Sequence, residues 1–185
     1  MEPTVAHRRA QQVFASVLAS VRAEHLDAST PCEGWTVRDV LDHVVGGNDR
    51  MAGLPGEGDP ARAGDLAGAF PASAERASAV FEAPGGLERT FELRIGPVPG
   101  SVCVRMRTTD VLVHAWDVAR ATGQPSDLDP ELAGEVLPFV QGFLRPELRG
   151  AGRPFGLEQP CPPDAAAADR LAALAGRHPG WSPPR

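Results

Sequence analysis

The most informative stretch of this sequence is Thr109-Asp110-Val111-Leu112-Val113-His114-Ala115-Trp116-Asp117. It belongs to a helical pattern from residue 101 to residue 121, followed by a glycine and a proline in the order typical of a helix C-terminus. Apolar and small side chains recur along one face, while Asp110, His114 and Asp117 fall on a second stripe at i, i+4 and i+7. The segment therefore predicts a long helix with one core-facing side and one polar side.

Outward from this helix, apolar residues recur at helical spacing in five further segments. The start of the second is the clearest, because Thr36 fits an N-cap and Asp39 follows three residues later, as in a capping box. The predicted helices cover residues 5–25, a segment from 36 onward, 65–82 with a kink or restart at Pro71, 129–143, and a short C-terminal helix that Asp164 caps and Gly176 ends.

Between these helices the chain is rich in glycine and proline, notably over residues 53–64 and 145–163, which predicts long loops. Residues 90–95 alternate apolar and polar side chains and predict a short extended segment, with a turn over 96–100. No internal repeat and no composition shift divides the chain. We therefore predict an all-α fold, a helical bundle with long loops, as a single domain over residues 1–185.

Composition excludes several classes of function. The chain has 185 residues and net charge −6, all 18 basic residues are arginine, and no basic stripe interleaves with aromatic residues, which argues against a nucleic-acid or anionic membrane partner. No apolar run approaches the ~20 residues of a membrane span, and the N-terminus lacks a secretory signal core. Three cysteines without C-x-x-C spacing disfavour a disulfide framework. We expect a cytoplasmic protein with a small-molecule substrate.

The residues that point to chemistry are Asp110, His114 and His43. The first two lie one helical turn apart, so a carboxylate and an imidazole can close on one divalent cation. His43, within the second predicted helix, is a candidate third ligand, and three protein ligands leave the open position of a catalytic metal site. The alternatives are a helix-surface ion pair worth ~0.2–0.5 kcal/mol or a solvated stripe, with His43 a core histidine that a neighbour satisfies.

Other polar residues have two interpretations each. Asp117 could orient an imidazole by accepting its hydrogen bond, or be a surface carboxylate paired with Arg120 or Arg177. Cys32 precedes a helix N-terminus, where a thiolate would be stabilised, but it is interpreted as a small buried residue in a tight turn.

The remaining histidines, His7, His25 and His178, lie near chain or helix ends and are predicted to be solvated. Arg105 and Arg107 could lie near the mouth of a pocket, although their helix position favours solvation. No catalytic residue is assigned from the sequence.

Several motifs together resemble a known family. Residues 29–47 resemble the opening motif of the actinobacterial metal-binding branch of the DinB-like, maleylpyruvate-isomerase-like proteins. Residues 96–100 and 109–123 are similar to its second motif, and residues 168–181 to its C-terminus. The resemblance thus covers nearly the whole chain in order.

This resemblance implies a DinB-like four-helix bundle in which His43, Asp110 and His114 hold a divalent metal, zinc first, with nickel or another divalent ion as alternatives. The mycothiol-dependent isomerase of the superfamily has Glu where this chain has Asp110. It also implies a transferase or isomerase that activates a low-molecular-weight thiol, mycothiol, or water at the metal. The pocket for a sugar-linked thiol would be walled by the loops 46–64 and 145–163.

A second class of function stays open at this point. The chain could be a non-catalytic helical bundle that binds a small ligand or a protein partner and keeps a vestigial or regulatory metal site. Stoichiometric metal that is lost on His43→Ala would favour the enzyme. The sequence leaves the oligomeric state open, a homodimer included.

Overall fold

The computed structural model describes residues 1–59, 64–93, 95–150 and 155–183, and these residues form a predominantly helical protein. The helices begin and end close to the predicted positions. They are α1 (Pro3–Leu18), α2 (Val37–Met51), α3 (Leu66–Glu82), α4 (Gly100–Ala121), α5 (Pro130–Phe143) and α6 (Ala167–Leu174), with a hairpin of β1 (Thr90–Leu93) and β2 (Gly96–Pro99) before α4. Parts of three predicted segments, residues 60–63, 94 and 151–154, lie outside the described residues.

Helices α1 to α4 pack as a four-helix bundle, which confirms the predicted fold class. Around the bundle, α1 contacts α3 and α4, and α2 contacts the same two helices, while α5 and α6 pack on each other and on α4. The main core takes buried side chains from all six helices, among them Phe14, Leu41, Phe70, Leu132 and Leu171. Each helix therefore buries one apolar stripe against the others.

The start of α2 has the predicted capping box. The Thr36 hydroxyl accepts the backbone N–H of Asp39 at 3.3 Å, and the Asp39 carboxylate accepts the N–H of Thr36 at 2.8 Å. Both bonds satisfy N–H groups that a helix start leaves unpaired. This fixes where α2 begins, and hence which side chains its inner face presents.

The hairpin corrects one prediction. Residues 96–100 were predicted as a turn, but Gly96–Pro99 pairs antiparallel with β1 and brings Phe91 opposite Val98. Both side chains are buried in a small second core with Met51, Phe81 and Cys103. Burial of this apolar pair outweighs the two prolines, which can occupy an edge strand because its outer N–H groups need no partner.

Two helix ends also differ from the predictions. Helix α1 ends at Leu18 rather than near His25, because the His25 imidazole accepts the N–H of Arg22 at 3.1 Å and folds a separate 3-10 turn. Helix α6 begins at Ala167, since Ala165 bonds to the Pro162 carbonyl in a turn that moves Asp164 away from the cap position. Helix α3 continues through Pro71 without a restart.

The prediction that His7 is solvated is wrong. Its ring is fully buried where α1 packs on α3, edge-on to Phe81 at 5.1 Å. Gln11 lies 3.1 Å from its Nε2, and Asn48 exchanges hydrogen bonds with Gln11 at 2.9 and 3.2 Å. We call this group the His7 cluster; its members are His7, Gln11, Asn48, Ser73 and Ser78.

Within the described residues, none of the helices is long and apolar enough to cross a membrane.

Candidate metal centre and its cavity

Helices α2 and α4 bring the three predicted ligands together. His43 lies two turns into α2, and Asp110 and His114 lie one turn apart on α4. Their ligand atoms all fall within 4.8 Å of one another. Oδ1 of Asp110 is 3.2 Å from Nε2 of His43 and 3.6 Å from Nε2 of His114, so one carboxylate oxygen faces both imidazoles.

A carboxylate also holds the far nitrogen of each imidazole. Oε1 of Glu57 lies 2.9 Å from Nδ1 of His43, and Oδ2 of Asp117 lies 3.0 Å from Nδ1 of His114. Ionised carboxylates only accept hydrogen bonds, so each Nδ1 carries the proton and donates it. Each Nε2 is then presented toward Asp110. Metal-binding histidines are typically oriented by such a carboxylate on the outer ring nitrogen.

When both imidazoles are neutral, this arrangement of described side chains has no hydrogen-bond donor or positive charge at its centre. In the neutral imidazoles both Nε2 atoms are acceptors, and they face Oδ1 of Asp110, which is also an acceptor. Burial by itself lowers the pKa of His43, but the charge of Asp110 and the hydrogen bonds to Asp110 and Glu57 raise it to about 9. Burial lowers the pKa of His114, which stays neutral. The centre therefore needs one positive species between its acceptors, either a proton or a metal cation.

Arg107 fixes the other oxygen of Asp110. Its Nη1 donates to Oδ2 at 2.6 Å, and its Nη2 donates to the Val44 carbonyl at 3.2 Å and to Oδ1 of Asn48 at 2.9 Å. A Cβ at Gly47 would meet Nη1 at 2.5 Å, so only glycine makes room for the guanidinium. Although burial opposes it, His43 and Arg107 hold the pKa of Asp110 well below its usual value.

The two arginines of α4 thus differ. The prediction that Arg107 is solvated is wrong, because it is 8% exposed and bonded to Asp110. Its Nε is buried and has no hydrogen-bond partner among the described residues. Arg105 is exposed as predicted, with its guanidinium 6.0 Å from the ring centre of Phe139.

Asp117 is buried rather than a surface carboxylate, and it pairs with both His114 and Arg177. It is fully buried, and besides His114 it accepts from Arg177, whose Nη2 lies 2.9 Å from Oδ2. Burial opposes ionisation, but Arg177 and His114 lower the pKa of Asp117 below its usual value. Arg120 instead donates to the carbonyls of Pro179 and Trp181.

Aromatic packing immobilises the two imidazoles. The Trp35 ring stacks on His114 at 5.6 Å with an interplanar angle of 7°, and its centre is 5.0 Å from that of His43. The His43 and His114 rings meet edge to face at 4.8 Å. With Nδ1 held by a carboxylate and the indole packed against it, face to face for His114 and at an angle for His43, each ring has little freedom to turn its Nε2 away.

A cavity of about 1090 Å³ opens onto the three residues. Both predicted loops contribute to its wall, through Glu57 and Phe155. The loop that carries Glu57 is tied to α2, since Gly58 donates to Asp42 at 2.6 Å and a Cβ on Gly46 would meet the Glu57 nitrogen at 2.4 Å.

Cys32 lies in a turn, as predicted, because its carbonyl accepts the N–H of Trp35 at 3.0 Å; its partly buried side chain also lines the cavity. Burial raises the pKa of its thiol to about 11, despite the opposing charge of Arg177. Cys32 is therefore a neutral thiol at pH 7. The sequence did not single out Glu57; it named Arg177 as a partner of Asp117 and Arg107 as a residue near a pocket mouth, but it did not predict the contact of Arg107 with Asp110.

Comparison with known proteins finds a matching family model and relatives of similar length. The family model described as the mycothiol maleylpyruvate isomerase N-terminal domain matches residues 7–119. Two uncharacterized proteins from two strains of Mycobacterium tuberculosis are each 52% identical over 180 residues, which is 96% of this chain and 98% of theirs.

Among solved structures, the crystal structure of the mycothiol-dependent maleylpyruvate isomerase superposes with a TM-score of 0.52 at 18% identity. A histidine-to-alanine mutant of that isomerase gives a TM-score of 0.50 at 16% identity. The match covers 63% of this chain and 59% of each isomerase chain. At this identity the likeness establishes a shared fold.

Proposed function

Because this chain belongs to the mycothiol maleylpyruvate isomerase N-terminal domain family, we propose that it is a divalent-metal-dependent transferase or isomerase. Its co-substrate would be a low-molecular-weight thiol, mycothiol, and its substrate a small electrophile. His43, Asp110 and His114 would hold the metal, and residues 1–185 would form one domain that works in the cytoplasm with its three cysteines reduced.

The observation that carries the proposal is the meeting of three acceptors at one point. Nε2 of His43, Nε2 of His114 and Oδ1 of Asp110 converge without a donor between them when both rings are neutral. Two imidazoles and one carboxylate form a ligand set that suits zinc, and nickel or another divalent ion accepts the same atoms.

The surrounding residues have distinct tasks in this proposal. Glu57 and Asp117 accept hydrogen bonds from Nδ1 of the two imidazoles, which directs each Nε2 inward, where a metal would take the place of a proton. Arg107 occupies Oδ2 of Asp110, so only Oδ1 is free to bind a cation. Trp35 covers the rings and excludes water from one side.

The chemistry follows from charge. A bound divalent cation with an open position lowers the pKa of a thiol or water that reaches it. The sulfur electron pair of the thiolate then forms a C–S bond to an electrophilic carbon. In a transfer, the electron pair of the broken bond departs with the leaving group. In an isomerisation, the electron pair of the attacked double bond stays on the substrate while the former double bond rotates. When that pair forms the double bond again, the C–S bond breaks and the thiolate leaves.

Metal analysis of protein purified without a histidine tag tests the proposal. We expect one divalent ion per chain, lost in His43→Ala and kept in His178→Ala, which removes an exposed imidazole. The metal-loaded protein should then bind mycothiol and accelerate its reaction with an electrophile above the spontaneous rate. A metal-free wild-type protein after zinc and nickel titration would contradict the metal centre. Metal without mycothiol binding would favour a ligand-binding bundle.

A further inference from the structure

The cavity wall beyond the three candidate ligands is apolar. It is built from α4 and the second half of α5, and Val113, next to His114 in the chain, makes it continuous with the centre. Its side chains are Met106, Val113, Phe139, Val140, Phe143 and Leu144. Ligand sites commonly combine such an apolar wall with a few fixed polar groups.

Two aromatic rings dominate this wall. Phe139 and Phe143 lie one turn apart on α5 and stack with centres 5.4 Å apart at 16°. Both rings are partly exposed although they line a cavity large enough to accept other atoms. Phenyl rings left accessible in a concave site gain free energy when an apolar group covers them, because their hydration is lost.

The positive charges of the cavity are already paired. Among the described residues, the arginines that line it are Arg50, Arg107 and Arg177. Their guanidinium nitrogens lie 2.6 Å from Glu57, 2.6 Å from Asp110 and 2.9 Å from Asp117. A carboxylate of a substrate would compete with these partners, and at the buried guanidinium groups of Arg107 and Arg177 the loss of a partner leaves a buried charge uncompensated.

The lining also carries excess negative charge. Among its described members, the carboxylates of Asp39, Asp42, Glu57, Glu92 and Asp110 outnumber the guanidinium groups. Counted over these described residues alone, one divalent cation would offset the two extra carboxylates, and a bound thiolate would then make the sum negative. A dianionic substrate would be repelled under these conditions.

We propose that the electrophile used by this chain is an uncharged molecule with an apolar, preferably aromatic, group that packs on Phe139 and Phe143, and that dicarboxylates are disfavoured. This inference rests on the proposed thiol-dependent function and specifies its substrate class. The cavity volume of about 1090 Å³ exceeds the ~300–1,000 Å³ typical of single-ligand pockets, so it has room for a thiol and a second small molecule.

Two stable product conjugates of mycothiol test the inference without requiring turnover. One carries an S-benzyl group, which is uncharged and aromatic, and the other an S-(1,2-dicarboxyethyl) group, which is dianionic. Calorimetric titration into the metal-loaded full-length protein should give a Kd at least tenfold lower for the benzyl conjugate. Phe143→Ala should raise the benzyl Kd about tenfold and leave the dicarboxyethyl Kd unchanged.

Controls separate packing from unfolding. Phe143→Leu should keep most of the benzyl affinity, and Leu157→Ala, at an exposed side chain outside the cavity lining, should keep all of it. Equal or tighter binding of the dicarboxyethyl conjugate to the wild-type protein overturns this inference while leaving thiol binding intact. A preference that survives in folded Phe143→Ala overturns the assigned wall. If neither conjugate binds, the thiol-dependent function itself fails, and this inference with it.

Discussion

The His7 cluster and the candidate metal centre both place imidazoles in buried surroundings, but only the first is complete. In the His7 cluster, the amide of Gln11 can donate to Nε2 of His7, and Asn48 and Ser78 satisfy the neighbouring groups. At the metal centre, the corresponding Nε2 atoms of His43 and His114 face a carboxylate oxygen. A donor closes the first arrangement, whereas the second needs a proton or a metal cation between its acceptors.

The pKa values of the histidines reflect this difference. Burial, reinforced by the charges of Arg107 and Arg8, lowers the pKa of His7 to about 3. At His43 the opposing carboxylates overcome burial and raise the pKa to about 9. Burial alone therefore does not separate a structural histidine from a ligand; the partner of its Nε2 does. The two regions meet at Arg107, which bonds to both Asn48 and Asp110.

The largest effect is expected for a variant that disrupts the candidate metal centre and leaves the His7 cluster unchanged. Asp110→Asn should weaken zinc binding by roughly two orders of magnitude or more, because a neutral amide is a poorer ligand than a carboxylate. Helicity in far-UV circular dichroism should stay unchanged. Asp164→Asn, at an exposed carboxylate, is the matched control. Full zinc affinity in Asp110→Asn would remove Asp110 from the ligand set.

A smaller effect is expected where the carboxylates hold the imidazoles. Glu57→Gln should lower zinc affinity roughly 10- to 100-fold, since His43 loses the charged acceptor on its Nδ1. Glu33→Gln, at an exposed side chain, should have no effect in the same competition titration. Asp117→Asn should add a loss of thermal stability, because Arg177 would be left buried without its counter-charge. Unchanged zinc affinity in Glu57→Gln would mean that the loop holding Glu57 does not orient His43.

In the His7 cluster we expect the opposite result, a loss of stability without a loss of zinc affinity. Gln11→Leu should cost about 2 kcal/mol of unfolding free energy, because Nε2 of His7 and the amide of Asn48 lose a buried partner. Zinc affinity should stay at the wild-type level. Gln12→Leu changes an exposed neighbour and should leave the urea unfolding midpoint nearly unchanged. Equal effects of the two variants would show that the buried network contributes nothing specific.

The smallest effect concerns pH. The pKa of His7 is about 3 in the folded chain, below its ordinary value of 6.5, so the unfolded chain binds a proton that the folded chain excludes. Stability is therefore lost as pH falls from about 6.5 toward 3, with about 1 kcal/mol between pH 6 and pH 5 from this group. His7→Gln should remove that part of the slope in urea titrations. An identical slope in wild type and variant would show that His7 titrates normally.

Local signals in the sequence were enough for the bundle. The capping box of α2 depends on residues three apart, and the pairing of Asp110 with His114 on one face depends on helical periodicity alone. Both depend on residues that are close together in sequence, so they can be recognised without knowledge of any tertiary contact. The approach of His43 to Asp110 is not local; the residues alone made His43 a candidate third ligand, and the family resemblance implied the full set.

The residues that sequence reasoning missed are buried or positioned by contacts with other elements of the fold. Glu57 lies in a glycine-rich loop without periodicity, and only the close approach of its backbone to Gly46 brings it against His43. Arg107 has a charged side chain on a helix, which by itself indicates solvent exposure. Gly47 on the facing helix makes room for the Arg107 guanidinium. This glycine is the sequence feature that could have indicated a buried arginine. His7 was misjudged because position near a terminus says nothing about packing.

The pairing of Asp117 with Arg177 also has a consequence for the order of events during synthesis. The two residues are 60 positions apart, and Arg177 lies beyond the last of the six helices. At roughly 5–20 residues per second, a ribosome adds Arg177 roughly 3–12 s after Asp117. During that interval the carboxylate that orients His114 has no counter-charge. The candidate metal centre therefore reaches its final charge balance only after Arg177 has been made, although all three of its candidate ligands are made earlier.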